Sequence, residues 1–106
     1  MEKMTTEVQQ LIFNYRRHIS LTDPERLLNI FEGLLQQSGF EILGFTQHHF
    51  SPQGYTAIWL LAESHLAIHT FPEKKTTYLE LSSCSQEKNE LFKSLVESST
   101  DFFMDQ

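Results

Sequence analysis

The residues best suited to chemistry are a serine and two histidines within residues 62–73. Ser64 follows the acidic Glu63 and is followed by His65 and His69. A serine hydroxyl is a weak nucleophile until a neighbouring base activates it, and histidine is the side chain that most often supplies the base. The segment therefore indicates a reacting serine, with a serine in a turn beside a surface histidine as the simpler alternative for any such pair.

Strand geometry limits which of these residues can meet. Side chains alternate between the two faces of a strand, so Ser64 and His69, at positions of opposite parity, would point to opposite faces of a regular strand. A base on one face cannot reach a hydroxyl on the other. If the two residues act together, we expect a turn or a bulge near Ser64.

Two other kinds of site fit the sequence less well. A zinc site would draw on His48, His49, His65 and His69, but His65 and His69 on a strand lie about 13 Å apart and cannot share one ion. A Ser-His-Asp hydrolase is disfavoured because the sequence has no Gly-x-Ser-x-Gly elbow. We expect no metal site.

Composition restricts the class of protein. The 106 residues, 40% of them hydrophobic, suit a single domain whose small core would gain from a second copy. A formal net charge of −6 and the absence of Lys/Arg runs argue against nucleic acid and suit a cationic small molecule. Cys84 is the one cysteine, and neither a membrane-spanning run nor a secretory signal is evident. We expect a cytoplasmic protein with no membrane partner.

The elements that position these residues follow from the apolar pattern. The sequence predicts a first strand over residues 8–15 and a helix that begins at Thr22-Asp23-Pro24 and ends at Gly39. A second helix is predicted after Ser85. Four strands lie between the helices, over residues 40–47, 55–62, 65–71 and 76–81. This βαβββ(β)α order predicts an α+β domain, a two-layer antiparallel β-sheet with helices packed on one face.

Three segments of the chain read Phe-Ser-Pro-Gln-Gly at residues 50–54, Leu-Ala-Glu-Ser-His-Leu at residues 61–66 and Ile-His-Thr-Phe-Pro-Glu at residues 68–73. In this order they resemble the Phe-Ser-Pro turn, the cleavage segment and the continuation of that segment in the small prokaryotic S-adenosylmethionine decarboxylases, which are pyruvoyl-dependent proenzymes. Cys84, fifteen residues after His69, lies where the family carries its catalytic cysteine. The resemblance covers residues 39–84 well and implies the fold of that family.

The resemblance implies that the chain cuts its own backbone between Glu63 and Ser64. The Ser64 hydroxyl would attack the carbonyl of Glu63 to give an ester, and elimination with hydrolysis would leave a pyruvoyl group where Ser64 stood. His69 would remove the α-proton in the elimination. The single domain would become a β chain, residues 1–63, and an α chain, residues 64–106.

The resemblance also implies roles in decarboxylation. The pyruvoyl group would be the cofactor: its carbonyl condenses with the substrate amine and accepts the electrons freed as carbon dioxide leaves. Cys84 would deliver a proton to the α-carbon, Phe50 would stack on adenine, and Glu73 would bind ribose hydroxyls. Thr56 stands where the family has a serine that assists the ester step.

Two further implications concern assembly and pathway. Processed αβ protomers would form a homodimer that builds its sites at the interface, so Phe50 and Ser64 of one site can belong to different chains. The product, decarboxylated S-adenosylmethionine, would supply aminopropyl groups for spermidine biosynthesis.

The sequence departs from the family pattern around the substrate pocket. The departures are Gln9-Gln10-Leu11 near the family's Gly-x-His, Thr56-Ala57 for Ser-Gly, Phe71 for Trp, and Ser82-Ser83-Cys84-Ser85 for Phe-Thr-Cys-Gly. Two alternatives therefore stay open beside S-adenosylmethionine decarboxylation. One is a pyruvoyl decarboxylase of arginine or ornithine, and the other is an uncut, inactive homologue that acts as a partner subunit.

Overall fold

The computed structural model describes residues 11–100 and Phe102 and confirms the predicted α+β architecture. The elements are β1 (Phe13–Ile19), α1 (Pro24–Gln37), β2 (Ile42–His49), β3 (Tyr55–Leu61), β4 (Ser64–Phe71), β5 (Thr76–Ser83) and α2 (Gln86–Glu97), with a 3₁₀ turn (Pro72–Lys74) before β5. The five strands form one antiparallel sheet in the order β1-β5-β4-β3-β2. Strands β2 to β5 are a meander joined by short turns, whereas β1 reaches the far edge beside β5.

Helix α1 begins and ends where local sequence signals predict. The Asp23 carboxylate caps the helix by accepting a hydrogen bond from the Arg26 backbone N–H at 3.0 Å, and Pro24 occupies the first helical position. Gly39 has a φ of 91°, and the N–H groups of Gly39 and Phe40 each bond carbonyls of the last turn at 3.0 Å. This pattern is a Schellman motif, which stops the helix and turns the chain into β2.

Both helices pack on the same face of the sheet, where the strand residues alternate between buried and accessible positions. Strand β3 is typical: Tyr55, Ala57, Trp59 and Leu61 are all buried. The remaining core residues come from the helices and from the same face of the other strands, among them Phe31, Leu35, Leu66, Ile68, Leu79, Leu81, Phe92 and Phe102. The period of two in each strand thus separates a helix-covered face from a second face.

The second face, called here the open face, is not covered by either helix among the described residues. It exposes Ile58, Leu60 and Phe71, which are 38%, 55% and 40% accessible. Exposed apolar side chains of this size are a common feature of interaction surfaces. Within the described part of the chain, no helix is both long enough and apolar enough to cross a membrane.

The prediction for the first strand was wrong in its bounds. Strand β1 runs over Phe13–Ile19, while Leu11 and Ile12 precede it and are exposed; residues 8–10 lie outside the described residues. The basic pair that follows Tyr15 does not end the strand, because Arg16 lies on the open face and pairs with Glu80 of β5 at 3.4 Å. Pairing with β5, rather than local composition, sets where β1 lies.

Candidate active site

Ser64 is the first residue of β4 and directly follows a two-residue turn. The turn consists of Ala62 and Glu63, since Leu61 of β3 pairs with Ser64 of β4. Glu63 has a φ of 57°, in the left-handed region that residues other than glycine seldom adopt. A positive φ is common in a two-residue hairpin turn, and in a residue other than glycine it costs some backbone strain. The structure therefore places a turn directly before Ser64, with Glu63 exposed at its tip.

Cys84 lies beside Ser64 although the two are twenty positions apart in sequence. Ser64 pairs with Ser83 across β4 and β5, and the Cys84 backbone N–H donates a hydrogen bond to Ser64 Oγ at 3.4 Å. Ser64, Cys84 and Glu63 line a cleft of about 240 Å³. We call this the serine cleft. Its other lining residues are Phe40, Ala62, Ser85 and Lys88.

Lys88 is a residue of the serine cleft that the sequence did not indicate. It belongs to the first turn of α2, where its backbone N–H bonds the capping Ser85 hydroxyl at 3.2 Å. Its ammonium lies 5.9 Å from the centre of the Phe40 ring. The lysine therefore brings a positive charge to the cleft that contains Ser64 and Cys84. The sequence signal is only its place after a helix cap, which does not show what the lysine faces.

His69 and Thr56 meet on the open face. They are directly paired between β4 and β3, and Thr56 Oγ1 lies 2.9 Å from His69 Nδ1. Of the two neutral tautomers of His69, the one that donates Nδ1–H to the threonine leaves Nε2 with a free lone pair. In this tautomer Nε2 can act as a base, and the threonine hydroxyl fixes the position of Nδ1.

Phe50 and Glu73 line a second cleft with His69 and Thr56, also of about 240 Å³. We call this the histidine cleft. Phe50 follows β2 and is 51% exposed, so its ring face is accessible. Glu73 lies in the 3₁₀ turn, where Gln53 Nε2 donates to its carboxylate at 3.3 Å. Four residues singled out from the sequence thus come together in one place.

Tyr78 is a second residue that the sequence did not indicate. It pairs with His69 across β4 and β5, and the two rings lie nearly parallel with their centres 6.4 Å apart. Partial burial and the neighbouring Glu80 carboxylate raise the pKa of the Tyr78 phenol above its ordinary value. The phenol stays protonated and donates to Glu80 at 3.2 Å. The Tyr78–His69 pairing depends on strand register, which local sequence does not reveal.

Within one chain the serine cleft and the histidine cleft are separate. Ser64 and His69 lie five residues apart on β4, which is roughly 16 Å along a strand, and on opposite faces. The turn before Ser64 does not bring them to one face. A single described chain therefore does not unite Ser64 and Cys84 with His69.

The other histidines are spread over the sheet. His65 is exposed on the open face, while His48 and His49 are exposed neighbours on β2 that point to opposite faces. His48 packs against Phe50 and His49 against Tyr55. Among residues 11–100 and Phe102, no three His, Cys, Asp or Glu side chains converge as ligands for one metal ion.

The sequence of this chain is similar to that of one known protein family. The model of the family described as S-adenosylmethionine decarboxylase matches residues 10–100. The S-adenosylmethionine decarboxylase proenzyme of Syntrophomonas wolfei is 34% identical over 89 residues, covering 84% of this chain and 70% of the relative. That of Prochlorococcus marinus (strain MIT 9313) is 36% identical over 70 residues, covering 66% of this chain and 56% of the relative.

The fold is also shared with a solved structure. The crystal structure of the adenosylmethionine decarboxylase from Aquifex aeolicus matches with a TM-score of 0.71 and 21% identity. The match covers 84% of this chain and 79% of that chain. At this identity the likeness shows a common fold. Matches with the curated relatives are partial, since this chain spans 70% of the first relative and little more than half of the second.

The Thr56–His69 contact predicts a specific effect on the imidazole. Thr56→Val keeps the branched shape but removes the hydroxyl, so Nδ1 of His69 loses its partner, whereas Thr56→Ser retains it. We expect the ring-nitrogen resonances of His69 in a long-range ¹H–¹⁵N spectrum to shift in Thr56→Val and to change little in Thr56→Ser. An unchanged His69 spectrum in Thr56→Val would show that the contact does not hold the ring.

Proposed function

The chain belongs to the S-adenosylmethionine decarboxylase family, and on this premise we propose that it is a self-processing, pyruvoyl-dependent decarboxylase of S-adenosylmethionine. The observation that carries the proposal is the complementary content of the two clefts. One holds a serine after a strained turn and a cysteine; the other holds a base and two groups suited to a nucleoside. Among the described residues, the serine cleft has no histidine base, and the histidine cleft has neither the serine nor the cysteine.

Self-cleavage requires an attack by the Ser64 hydroxyl on the carbonyl of Glu63. The left-handed conformation of Glu63 and its exposure at the tip of the turn support this reaction, because the peptide is neither inside a strand nor covered. Attack gives an ester, and loss of the α-proton of residue 64 releases the Glu63 carboxylate. Hydrolysis of the resulting enamine releases ammonia and leaves a pyruvoyl group at residue 64.

The residues around Ser64 fit a pyruvoyl group. The Cys84 N–H donates to Ser64 Oγ at 3.4 Å in the uncut chain, and because Oγ leaves with Glu63, the cut frees this hydrogen-bond donor beside the new pyruvoyl end. When formed, the group supplies a carbonyl that condenses with the substrate amine and accepts electrons during loss of carbon dioxide. The thiol of Cys84 lines the same cleft and is exposed, so it can deliver a proton there. Lys88 attracts a carboxylate to this cleft.

A homodimer that unites two half-sites follows from the separation of the clefts. Ser64 and Cys84 of one protomer would meet His69 and Thr56 of the partner, and a two-fold axis would generate two equal sites. The apolar side chains of the open face, Ile58, Leu60 and Phe71, support burial of this face between two copies. A dimer also enlarges the small core of the single chain.

Self-cleavage predicts two fragments of defined mass. We expect denatured intact-mass measurement of the wild-type protein, after incubation at neutral pH, to show a split between Glu63 and Ser64. The second fragment should be lighter by one ammonia than a peptide that begins with serine. Ser64→Ala, which lacks the hydroxyl, should stay whole. A single uncut mass for wild type would refute self-processing and favour the alternative of an inactive homologue that acts as a partner subunit.

Sharing of sites between protomers predicts complementation. We expect Ser64→Ala and His69→Ala to be uncut when each is expressed alone. In a mixed dimer one site has Ser64 from the His69→Ala chain and His69 from the Ser64→Ala chain. Co-expression with two different tags should therefore yield cleavage of the His69→Ala chain alone, detected by intact mass. Mixed dimers that form but stay uncut would mean that each site is built within one chain.

Substrate choice depends on Phe50 and Glu73 of the histidine cleft. An accessible phenyl face and a carboxylate suit an adenine ring and ribose hydroxyls, which arginine and ornithine lack. Both residues are therefore the basis for preferring S-adenosylmethionine. Phe71 and Ser85 differ from the Trp and Gly that the family pattern has at these positions. A pyruvoyl decarboxylase of arginine or ornithine therefore stays the second candidate.

We expect the processed protein to release carbon dioxide from S-adenosylmethionine at least about tenfold faster than from arginine or ornithine. Phe50→Ala should weaken this preference by raising KM for S-adenosylmethionine, because the lost contact is made in the ground state as well. Release from arginine or ornithine alone would establish the second candidate. The matched control is Phe45→Ala, which removes an aromatic ring from β2 at a position outside the histidine cleft.

A further inference from the structure

We infer that Tyr78 is a positioning residue for His69 in the elimination step, an inference that rests on the proposed self-cleavage. Tyr78 does not touch the reacting atoms in this picture. It acts by holding the imidazole of His69 in the plane from which Nε2 takes the α-proton of residue 64. The inference comes from a row of side chains that crosses the sheet.

The row runs over the open face at right angles to the strands. Strand register pairs His48 with Thr56, Thr56 with His69, His69 with Tyr78, and Tyr78 with His18. One side chain from each of the five strands thus lies in line. His69 is at the centre of the row, between the hydroxyl of Thr56 and the ring of Tyr78.

The two neighbours of His69 restrain it in different ways. Thr56 Oγ1 contacts Nδ1 at 2.9 Å, which fixes one atom of the ring but leaves the ring free to tilt about that contact. The Tyr78 ring is inclined by 17° to the imidazole with a centre-to-centre distance of 6.4 Å, an offset parallel arrangement. A hydrogen bond at one edge and an aromatic ring against one face together define the imidazole plane.

Tyr78 can serve as a support because its own position is fixed on its far side. The His18 ring lies 5.3 Å from the Tyr78 ring, inclined by 48°. The Tyr78 hydroxyl donates to Glu80 at 3.2 Å, and Glu80 in turn pairs with Arg16 at 3.4 Å. The tyrosine ring is therefore held by neighbours on β1 and on its own strand.

The orientation of the His69 ring matters most in the elimination step, where His69 acts as the base. The Ser64 ester of Glu63 is already formed when His69 takes the α-proton of residue 64. The electron pair of that bond forms the Cα–Cβ double bond, the Cβ–Oγ bond breaks, and Glu63 departs as a carboxylate. His69 becomes positively charged as it takes the proton. Tyr78 favours the ring orientation of His69 at this step and has no part in ester formation, which precedes it.

The test compares three variants with wild type in a timed cleavage assay. Tyr78→Ala removes the ring, Tyr78→Phe keeps the ring without the hydroxyl, and Glu80→Gln removes the charge beside the hydroxyl. Samples taken in hydroxylamine trap the ester as a Glu63 hydroxamate with serine at residue 64, which intact mass distinguishes from the pyruvoyl end. Thermal unfolding of each variant is recorded in parallel.

We expect Tyr78→Ala to form the pyruvoyl end about tenfold more slowly than wild type while the trapped ester accumulates. Tyr78→Phe and Glu80→Gln should stay within about twofold of wild type, because the ring face remains and the His18 ring still packs against it. If Tyr78→Ala unfolds, Tyr78→Leu replaces it, since leucine keeps apolar bulk at this position without an aromatic face.

Four results would overturn the inference, and the fourth would also refute the proposed function. A wild-type rate of pyruvoyl formation in Tyr78→Ala, or an equal loss of ester and pyruvoyl, would leave Tyr78 with no role or with a purely structural one. Slowing of Tyr78→Phe to the level of Tyr78→Ala would assign the effect to the hydroxyl instead. If wild type itself stays uncut, the proposed self-cleavage fails, and the inference fails with it.

Discussion

The alternation of side chains along β4 is the constraint on which the candidate site depends. This strand carries both Ser64 and His69, and its regular pairing with β3 and β5 keeps them on opposite faces. A bulge that brought them together would break two ladders at the centre of the sheet and the core beneath it. In this fold Ser64 and His69 therefore have different neighbours, and they lie far apart although they are close in sequence.

Each half of the site is organised by the strands next to β4. On one side Ser83 and the Cys84 amide approach Ser64 because β5 ends opposite the beginning of β4. On the other, His69 meets Thr56 because the two residues pair directly. Strand register therefore positions these site residues, whereas in many enzymes a loop positions them. The register brings Thr56 to His69, and Cys84 to Ser64, within hydrogen-bond distance. The positions of Thr56 and Cys84 therefore depend on pairing along the whole strand.

Sequence alone predicted the features that local chemistry determines. Helix α1 was recoverable because Asp23, Pro24 and Gly39 mark its ends with caps that act within one turn. The opposite parity of Ser64 and His69 was recoverable because it needs only the strand period. The bounds of β1 were not, since Leu11 and Ile12 are as β-prone as the residues that pair with β5. Lys88 and Tyr78 were missed for a related reason: their neighbours are far away in sequence and are selected by register and helix packing.

The position of the Glu63–Ser64 turn has a consequence for the order of strands after a cut. Residues 1–63 contribute β1, β2 and β3, while residues 64–106 contribute β4 and β5, which lie between β1 and β3. A cut at the turn removes no strand pairing and leaves the shorter fragment enclosed on both edges by the longer one. Once separated by denaturation, however, the fragments must find each other again from solution, so that recovery depends on protein concentration. Cleavage at this turn would convert a fold made by one chain into a fold made by two fragments, whose folded state, once lost, is regained only by association.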